Sequence, residues 1–134
     1  MKYYLDTNII IYALNNRFPS IQKHFYDVAS STIVIPDIVM AEIEYGARKS
    51  KNYDRTIKLY KQFTDNFNIC HFDKKAIMEY GIIRNELEKS GSVIGFNDLI
   101  IASIVKADNG ILVTHNTNEF SRVKGLMLED WCDE

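Results

Sequence analysis

The chain has 134 residues and a mass of 15.5 kDa, which is long enough to bury a sizeable core without disulfides or structural metals. Hydrophobic residues make up 46% of the chain and charged residues 25%, the ordinary balance of a globular domain, which excludes a disordered or fibrous protein. The formal net charge of -2 gives no overall electrostatic argument for a nucleic-acid partner, although a local basic patch would be enough to bind phosphates.

Cysteine content and apolar runs bear on the compartment. The two cysteines, Cys70 and Cys132, do not belong to a pair with metal-ligand spacing, so we expect reduced thiols. The first residues lack a basic region followed by a long apolar core, and no apolar run approaches membrane-spanning length. We therefore expect a full-length cytoplasmic protein with no membrane partner.

Strand-like and helix-like segments alternate along the chain. Short apolar or β-branched runs predict strands at 3–5, 32–35, 68–72, 111–113 and 126–128. Apolar spacing, caps and stop signals predict a helix after residue 6 and further helices at 19–30, 37–50, 53–67, 74–89 and 98–106. This alternation indicates a single α/β domain with a mostly parallel central sheet and helices on both sides.

Asp6 follows the first predicted strand directly and precedes Thr7 and Asn8. In open α/β sheets, ligands bind at the carboxyl ends of the strands, so a carboxylate at this position is a candidate for chemistry. The alternative is purely structural, because Asp, Thr and Asn are all good helix caps.

The predicted helix at 37–50 carries two acids on different faces. Glu44 shares a face with Arg48, an i,i+4 pair that is typical of a solvated surface. Glu42 points nearly the opposite way and interrupts a largely apolar arc. A carboxylate on an inward arc must be paired, protonated or bound to a metal, and Lys49 on the same arc is the ordinary candidate partner.

Two more acids lie at element ends. The helix at 98–106 is apolar almost all round, which predicts a buried helix capped by Asn97 with Asp98 in its first turn. Taken alone, Asp98 indicates only the preference of helix N-termini for acids. Glu119 belongs to a polar turn that follows the predicted strand at 111–113.

These acids occur within five segments that follow one another in a fixed order. The segments are LDTNI at 5–9, AEIEYGARKS at 41–50, YGIIRNELE at 80–88, GFNDLIIA at 95–102 and VTHNTNEFSRV at 113–123, followed by Gly125-Leu126 and Glu129-Asp130-Trp131. As an ordered set covering nearly the whole chain, they resemble a PIN-domain ribonuclease of the VapC toxin type. The resemblance implies a three-layer α/β/α PIN domain that spans residues 1–134.

The resemblance also implies a metal-dependent active site. Four acids match the family's acidic cluster and are the expected metal ligands and catalytic residues: Asp6, Glu42, Asp98 and Glu119. Thr114 and Asn116 match a hydroxyl and an amide of the same turn, and we expect both to contact substrate. Mg²⁺, or Mn²⁺ in its place, suits such hard oxygen ligands. Some PIN domains have a further aspartate where this chain has Asn116 and Asn118. Whether the site binds one metal ion or two is therefore left open.

The implied biology is that of a type II toxin–antitoxin system. The chain would be the toxin, an endoribonuclease neutralised by a cognate VapB-type antitoxin, and a homodimer. We expect tRNA as the substrate. The exact target, whether initiator tRNA, other tRNA, ribosomal RNA or messenger RNA, is left open, because specificity for RNA loops depends on surface shape.

RNA also requires positive charge outside the acidic cleft. Arg84 is the principal candidate because it falls within a family-like segment. Further basic candidates are Arg48, Lys49, Lys51, Arg122 and Lys124. For each of them an ordinary solvated surface is the alternative.

Other protein classes also place acids at strand ends. A phosphoacceptor receiver domain needs paired early acids and a late lysine, whereas here Glu42 and Asp98 lie on helices. A haloacid-dehalogenase-type phosphatase usually has a second aspartate where this chain has Asn8. A PIN-like module that binds without cleaving remains the serious alternative, and metal-dependent cleavage would distinguish it from a nuclease.

Overall fold

The computed structural model describes residues 1–132, within which a five-stranded sheet is parallel throughout. The strands are β1 (Tyr3–Leu5), β2 (Ile33–Pro36), β3 (Asn68–Cys70), β4 (Ile111–Val113) and β5 (Met127–Glu129). The helices are α1 (Thr7–Leu14), α2 (Pro19–Asp27), α3 (Asp37–Lys49), α4 (Tyr53–Thr64), α5 (Lys74–Ser90), α6 (Phe96–Ala107) and α7 (Thr117–Phe120). This is the three-layer α/β/α arrangement expected from the sequence. Residues 133–134, the end of the predicted domain, lie outside the described part of the chain.

The order of the strands sets where a ligand can bind. Across the sheet they run β3-β2-β1-β4-β5, so the chain moves outward from β1 to β3 and then returns to the other side of β1 as β4. The strand order therefore reverses between β1 and β4. In open α/β sheets the crevice at such a switch point, outside the carboxyl ends of the strands, is the usual binding site. Asp6 follows β1 and Thr114 follows β4 at this crevice.

The core of the sheet is apolar on both faces, as parallel sheets require. Tyr4 and Leu5 of β1, and Leu112 and Val113 of β4, are fully buried. Helix α6 is buried along most of its length, which confirms the expectation from its nearly all-apolar sequence. Within residues 1–132, no helix combines the length and the apolar character that crossing a membrane would need.

All predicted strands and helices are present, but several ends differ. The helix predicted at 19–30 stops at Asp27 because Val28 takes an extended conformation, with φ -108° and ψ 148°. A 3-10 turn, Ser30–Thr32, then delays the start of β2 by one residue relative to the predicted strand at 32–35. The helix predicted at 53–67 ends at Thr64, and a short helix, α7, was not predicted.

Two strand ends follow from pairing that the sequence pattern does not contain. The strand predicted at 68–72 ends at Cys70, which pairs with Pro36, the last residue of β2. Beyond this point the backbone N–H of Phe72 donates to Oδ2 of Asp37 (3.0 Å) in place of a strand partner. The strand predicted at 126–128 begins one residue later because the N–H of Leu126 is used in a turn.

Candidate active site

Asp6 joins the carboxyl ends of β1 and β4. Its side chain is the N-cap of α1 and accepts a hydrogen bond of 2.8 Å from the backbone N–H of Thr7. Its second oxygen, Oδ2, accepts a hydrogen bond of 2.8 Å from the hydroxyl of Thr114. Asp6 is only 7% exposed, so the capping alternative is realised at a buried carboxylate beside the switch point. The cap accounts for one oxygen, and Thr114 fixes the other.

Glu42, on α3, turns toward the start of α1 and toward α6. The hydroxyl of Thr7 donates to its Oε1 (2.7 Å), and Nδ2 of Asn97 approaches its Oε2 (3.4 Å). Lys49, the alternative partner considered for Glu42, lies elsewhere: its ammonium group is over the ring of Tyr45, 5.2 Å from the ring centroid. Long-range neighbours therefore replace the nearby lysine on the same helix.

Asp98 lies in the first turn of α6. The predicted capping role of Asn97 is wrong, because the helix starts at Phe96 with Gly95 as its N-cap residue. This earlier start places Asn97 inside the first turn, from which its amide reaches Glu42. Asp98 is half-buried and forms a hydrogen bond with Glu119.

Glu119 is held by the loop before α6 and by its own turn. The amide Nδ2 of Asn116 donates to its Oε2 (2.9 Å), and the backbone N–H of Gly95 donates to its Oε1 (3.1 Å). The backbone N–H of Asn116 in turn donates to the hydroxyl of Thr114 (3.0 Å). Thr114 thus links Asp6 to the turn that carries Glu119.

The electrostatics show how strongly these acids interact. Burial, followed by the negative charges of Asp6 and Glu119, raises the pKa of Asp98 from 3.8 to about 7. Burial also raises the pKa of Asp6, although the hydrogen bonds from Thr114 and Thr7 oppose this effect. The hydrogen bond from Asn116 is the main reason that the pKa of Glu119 is lowered. With a pKa of about 7, Asp98 keeps its proton below neutral pH, and that proton lies in its hydrogen bond with Glu119.

Comparisons with known proteins support the resemblance. A model of the PIN domain family matches residues 3–126. "Ribonuclease VapC2" of Rickettsia felis is 42% identical over 132 residues, which cover 98% of each chain. The chain belongs to the VapC ribonucleases of the PIN-domain family.

Two further relatives agree with this membership of the VapC family. "tRNA(fMet)-specific endonuclease VapC" of Shigella flexneri is 34% identical over 131 residues, which cover 98% of each chain. The crystal structure of VapBC2 from Rickettsia felis bound to a DNA fragment from their promoter contains a chain with 41% sequence identity and a TM-score of 0.92. That match covers 98% of this chain and 99% of the other.

Membership of the VapC family confirms the expected enzyme class. The chain is an endoribonuclease and the toxin component of a type II toxin–antitoxin system. The structure brings together the four acids that the VapC resemblance singled out, together with Thr114 and Asn116. Their individual roles in binding and catalysis stay predictions.

The acidic cleft suits a hard divalent cation. It offers carboxylate oxygens from four separate segments, and Mg²⁺ and Mn²⁺ prefer such ligands. No ion pair joining two residues of the described range 1–132 includes any of these four acids. The repulsion that raises the pKa of Asp98 is thus not offset by a direct ion pair within this range, and a bound divalent cation would offset it.

Arg84 lies on α5, against the start of α6. Its Nε donates to Glu88 (3.1 Å), Nη1 donates to the hydroxyl of Tyr80 (3.0 Å), and the guanidinium lies 5.2 Å from the centroid of the Phe96 ring. Phe96 is two residues before Asp98, which places Arg84 near the acids. Its predicted contact with RNA stays a prediction, and its local contacts are also those of a solvated helix face.

Sequence reasoning missed three groups that hold the acids in place. Thr7 and Asn97 are the partners of Glu42, and the backbone N–H of Gly95 is a partner of Glu119. Thr7 and Asn97 were recognised only as capping residues. The missing signal was proximity between segments, because each of these contacts joins residues that are distant in sequence.

Proposed function

We propose that this chain cleaves tRNA with the help of Mg²⁺ held by Asp6, Glu42, Asp98 and Glu119, and that a VapB-type antitoxin suppresses the cleavage. The convergence of these four acids at the β1–β4 switch point carries the proposal. Four carboxylates in one cleft repel one another strongly unless a cation neutralises them. A bound metal ion would offset the electrostatic free-energy cost of holding the four carboxylates together.

In this proposal each acid has its own support. Thr114 orients Asp6, Thr7 orients Glu42, and Asn116 orients Glu119. Such hydrogen bonds fix the direction of a ligand oxygen before a metal arrives. When bound, Mg²⁺ supplies positive charge for the phosphodiester and for the attacking water.

In this proposal the protonation state of Asp98 controls whether the site can bind the metal ion. Below neutral pH its carboxyl group keeps a proton in the hydrogen bond with Glu119, and this proton has to leave before both groups can act as anionic ligands. The half-buried position of Asp98 limits access of bulk water to that carboxyl group. Asp98 is therefore the acid whose ionisation we expect to set the lower pH limit of cleavage.

The choice of tRNA rests on relatives. The Shigella flexneri relative is named a tRNA(fMet)-specific endonuclease, and its similarity extends over 98% of this chain. Arg84 and the other basic candidates would contact the phosphates, which supply affinity without reading sequence. Initiator tRNA is the first substrate to test.

The antitoxin also rests on relatives, together with one surface. Solved relatives are VapBC complexes, among them one from nontypeable Haemophilus influenzae with a TM-score of 0.90 and 36% sequence identity. In this chain Val93 and Phe96, which precede Asp98 by five and two residues, are 58% and 65% exposed. An exposed apolar surface beside a charged cleft is typical of a protein interaction site. The homodimer and the cytoplasmic location stay predictions.

The decisive experiment compares cleavage of purified initiator tRNA, total tRNA and a single-stranded RNA. Antitoxin-free protein is incubated with Mg²⁺, with Mn²⁺ or with EDTA, alongside the variants Asp6→Asn and Asp98→Asn. Asp54→Asn is the matched control, because Asp54 is an exposed acid on α4. We expect cleavage that needs metal, vanishes in the first two variants and persists in the control.

Each result has a clear consequence. Metal-independent cleavage, or full activity of Asp6→Asn with a circular dichroism spectrum like that of the parent, would overturn the assigned roles of the acids. No cleavage of any RNA by folded, monodisperse, antitoxin-free protein would favour the module that binds without cleaving. Restoration of inhibition by adding back the cognate antitoxin would support the proposed partner.

A further inference from the structure

A second group of side chains that could hold a metal ion lies where β4 and β5 end. His115 comes directly after Thr114, while Asp130 and Cys132 follow β5. Strands β4 and β5 are parallel neighbours with Val113 opposite Glu129, so the two chain segments emerge at the same edge of the sheet. One ligand atom from each of the three side chains lies within 4.8 Å of the other two.

The three side chains are already held in place. Nδ1 of His115 is 3.0 Å from Oδ2 of Asp130, and the other oxygen of Asp130 accepts a hydrogen bond of 2.9 Å from the backbone N–H of Cys132. The imidazole ring packs near Phe18 and Tyr12, with ring centroids 5.6 Å and 6.2 Å away. A metal ion would replace the hydrogen bond between His115 and Asp130, whereas the ring contacts and the N–H of Cys132 would stay and hold the side chains in place, which reduces the entropy lost on binding.

The donor set selects a different kind of metal from that of the acidic cleft. Imidazole nitrogen and thiolate sulfur suit Zn²⁺ and related first-row transition metals, whereas Mg²⁺ prefers oxygen alone. Zinc–ligand bonds of about 2.0–2.3 Å place ligand atoms roughly 3–4 Å apart, so a small side-chain movement closes the site. The side chains of His115 and Asp130 are 47% and 33% exposed, which gives a cation access from solvent.

We propose that His115, Asp130 and Cys132 form a transition-metal site of the zinc type, with ligands distinct from the four acids and with water completing the coordination. Binding would tie the end of β5 to the turn that contains Thr114 and Asn116. Sequence spacing alone does not indicate this site, because Cys132 has no cysteine or histidine at metal-ligand spacing. Metal binding by these three side chains does not require RNA cleavage.

Cobalt provides the test, because a cobalt–thiolate bond absorbs light and Co²⁺ occupies zinc sites. The full-length, metal-free protein is titrated with Co²⁺ in excess Mg²⁺ and a non-thiol reductant, and Zn²⁺ is then added. We expect a thiolate charge-transfer band that saturates near one equivalent and is abolished by Zn²⁺. Cys132→Ser removes the band, and His115→Ala weakens Co²⁺ binding by roughly tenfold or more.

Two controls locate the signal. Cys70→Ser removes the other cysteine and keeps the band, and Asp98→Asn disables the acidic cleft and also keeps it. Because Cys132 is buried, circular dichroism checks that its serine variant folds, and the exposed His115 provides an independent variant. Absence of a thiolate band at stoichiometric Co²⁺, or a band unchanged by His115→Ala, would overturn the proposal.

Discussion

The hydroxyl of Thr114 donates a hydrogen bond of 2.8 Å to Oδ2 of Asp6, although the two residues are 108 positions apart in the sequence. The same hydroxyl accepts a hydrogen bond of 3.0 Å from the backbone N–H of Asn116. Thr114 is fully buried and Asp6 nearly so. One hydroxyl thus joins the carboxyl ends of β1 and β4 and sets the position of the turn that carries Glu119.

Replacing Thr114 by valine keeps the shape of the side chain but removes its hydroxyl. The carboxylate of Asp6 and the N–H of Asn116 then lose a buried partner, so we expect the free energy of unfolding to fall by about 1–3 kcal/mol. Cleavage should fall by roughly tenfold or more because Asp6 loses its fixed orientation. Urea unfolding in EDTA measures the first effect, and initial cleavage rates in Mg²⁺ measure the second.

Thr114→Ser is the control for this prediction, since serine retains the hydroxyl and loses only a methyl group. We expect it to keep most of the cleavage rate. A valine variant as stable and as active as the parent protein would show that the hydroxyl does not hold the acids in place.

The raised pKa of Asp98 predicts an unusual pH dependence of stability without metal. Its value is about 7 in the folded protein against 3.8 for the ordinary side chain. Between these values the folded state binds more protons than the unfolded state, so this group lowers the free energy of unfolding as pH rises from about 4 to 7. Thermal unfolding in EDTA across this range, with Asp98→Asn for comparison, measures the contribution.

We expect Asp98→Asn to melt at a higher temperature than the parent near pH 7 and to lose most of the difference near pH 4. Asp54→Asn, a change at an exposed acid, should follow the parent throughout. The affinity for Mg²⁺ should increase as the pH rises toward 7, by up to about tenfold per pH unit, because the cation displaces the proton. Parallel melting curves for the parent and Asp98→Asn would contradict the assignment.

The sequence located the four acids but not what holds them. Asp6 follows a strand and Glu42 breaks an apolar arc, and both signals are local. Helical position alone offers Lys49 as an alternative partner for Glu42, whereas the actual partners, Thr7 and Asn97, reach it from other segments.

Errors at element ends have the same origin. A strand ends where its neighbour ends, as β3 does at Cys70 opposite Pro36. Local composition does not contain that information, since Phe72 is as good a strand residue as any. The group of His115, Asp130 and Cys132 was missed for the same reason, because it forms only when β4 and β5 become neighbours.

Arg84 and Arg48 offer a matched pair for testing RNA contact. Each pairs with a glutamate one turn later or earlier on its own helix, Glu88 and Glu44 respectively, and each lies beside a tyrosine ring. Of the two, only Arg84 also lies against Phe96, which is in the helical turn that carries Asp98. We expect Arg84→Ala to weaken RNA binding more than Arg48→Ala at low salt.

RNA binding is best measured with a cleavage-deficient Asp98→Asn background and a range of salt concentrations. A lost phosphate contact should reduce the dependence of log affinity on log salt by about 0.7–0.9. Equal effects of the two substitutions would indicate a general loss of charge, and the assigned role of Arg84 would then be wrong.

Gly110 provides a test of the sheet on which the site depends. A Cβ atom at this position would lie 2.6 Å from Cδ1 of the Tyr4 ring and closer still to Cε1. That ring is fully buried in the core, and its hydroxyl hydrogen-bonds with the carboxylate of Asp108, so it has little freedom to move aside. We expect Gly110→Ala to lower the free energy of unfolding by about 1–3 kcal/mol or more.

Gly81 is the matched control for Gly110. It lies in the middle of α5 with nothing within 4 Å of an added Cβ, so alanine meets no obstacle there and improves helix propensity. We expect Gly81→Ala to raise the free energy of unfolding by about 0.5–1 kcal/mol. Urea unfolding of both variants in EDTA measures the contrast. If Gly110→Ala proved as stable as Gly81→Ala, Gly110 would not lie as close to the ring of Tyr4 as described. The spacing of β1 and β4 that brings Thr114 to Asp6 would then also be incorrect.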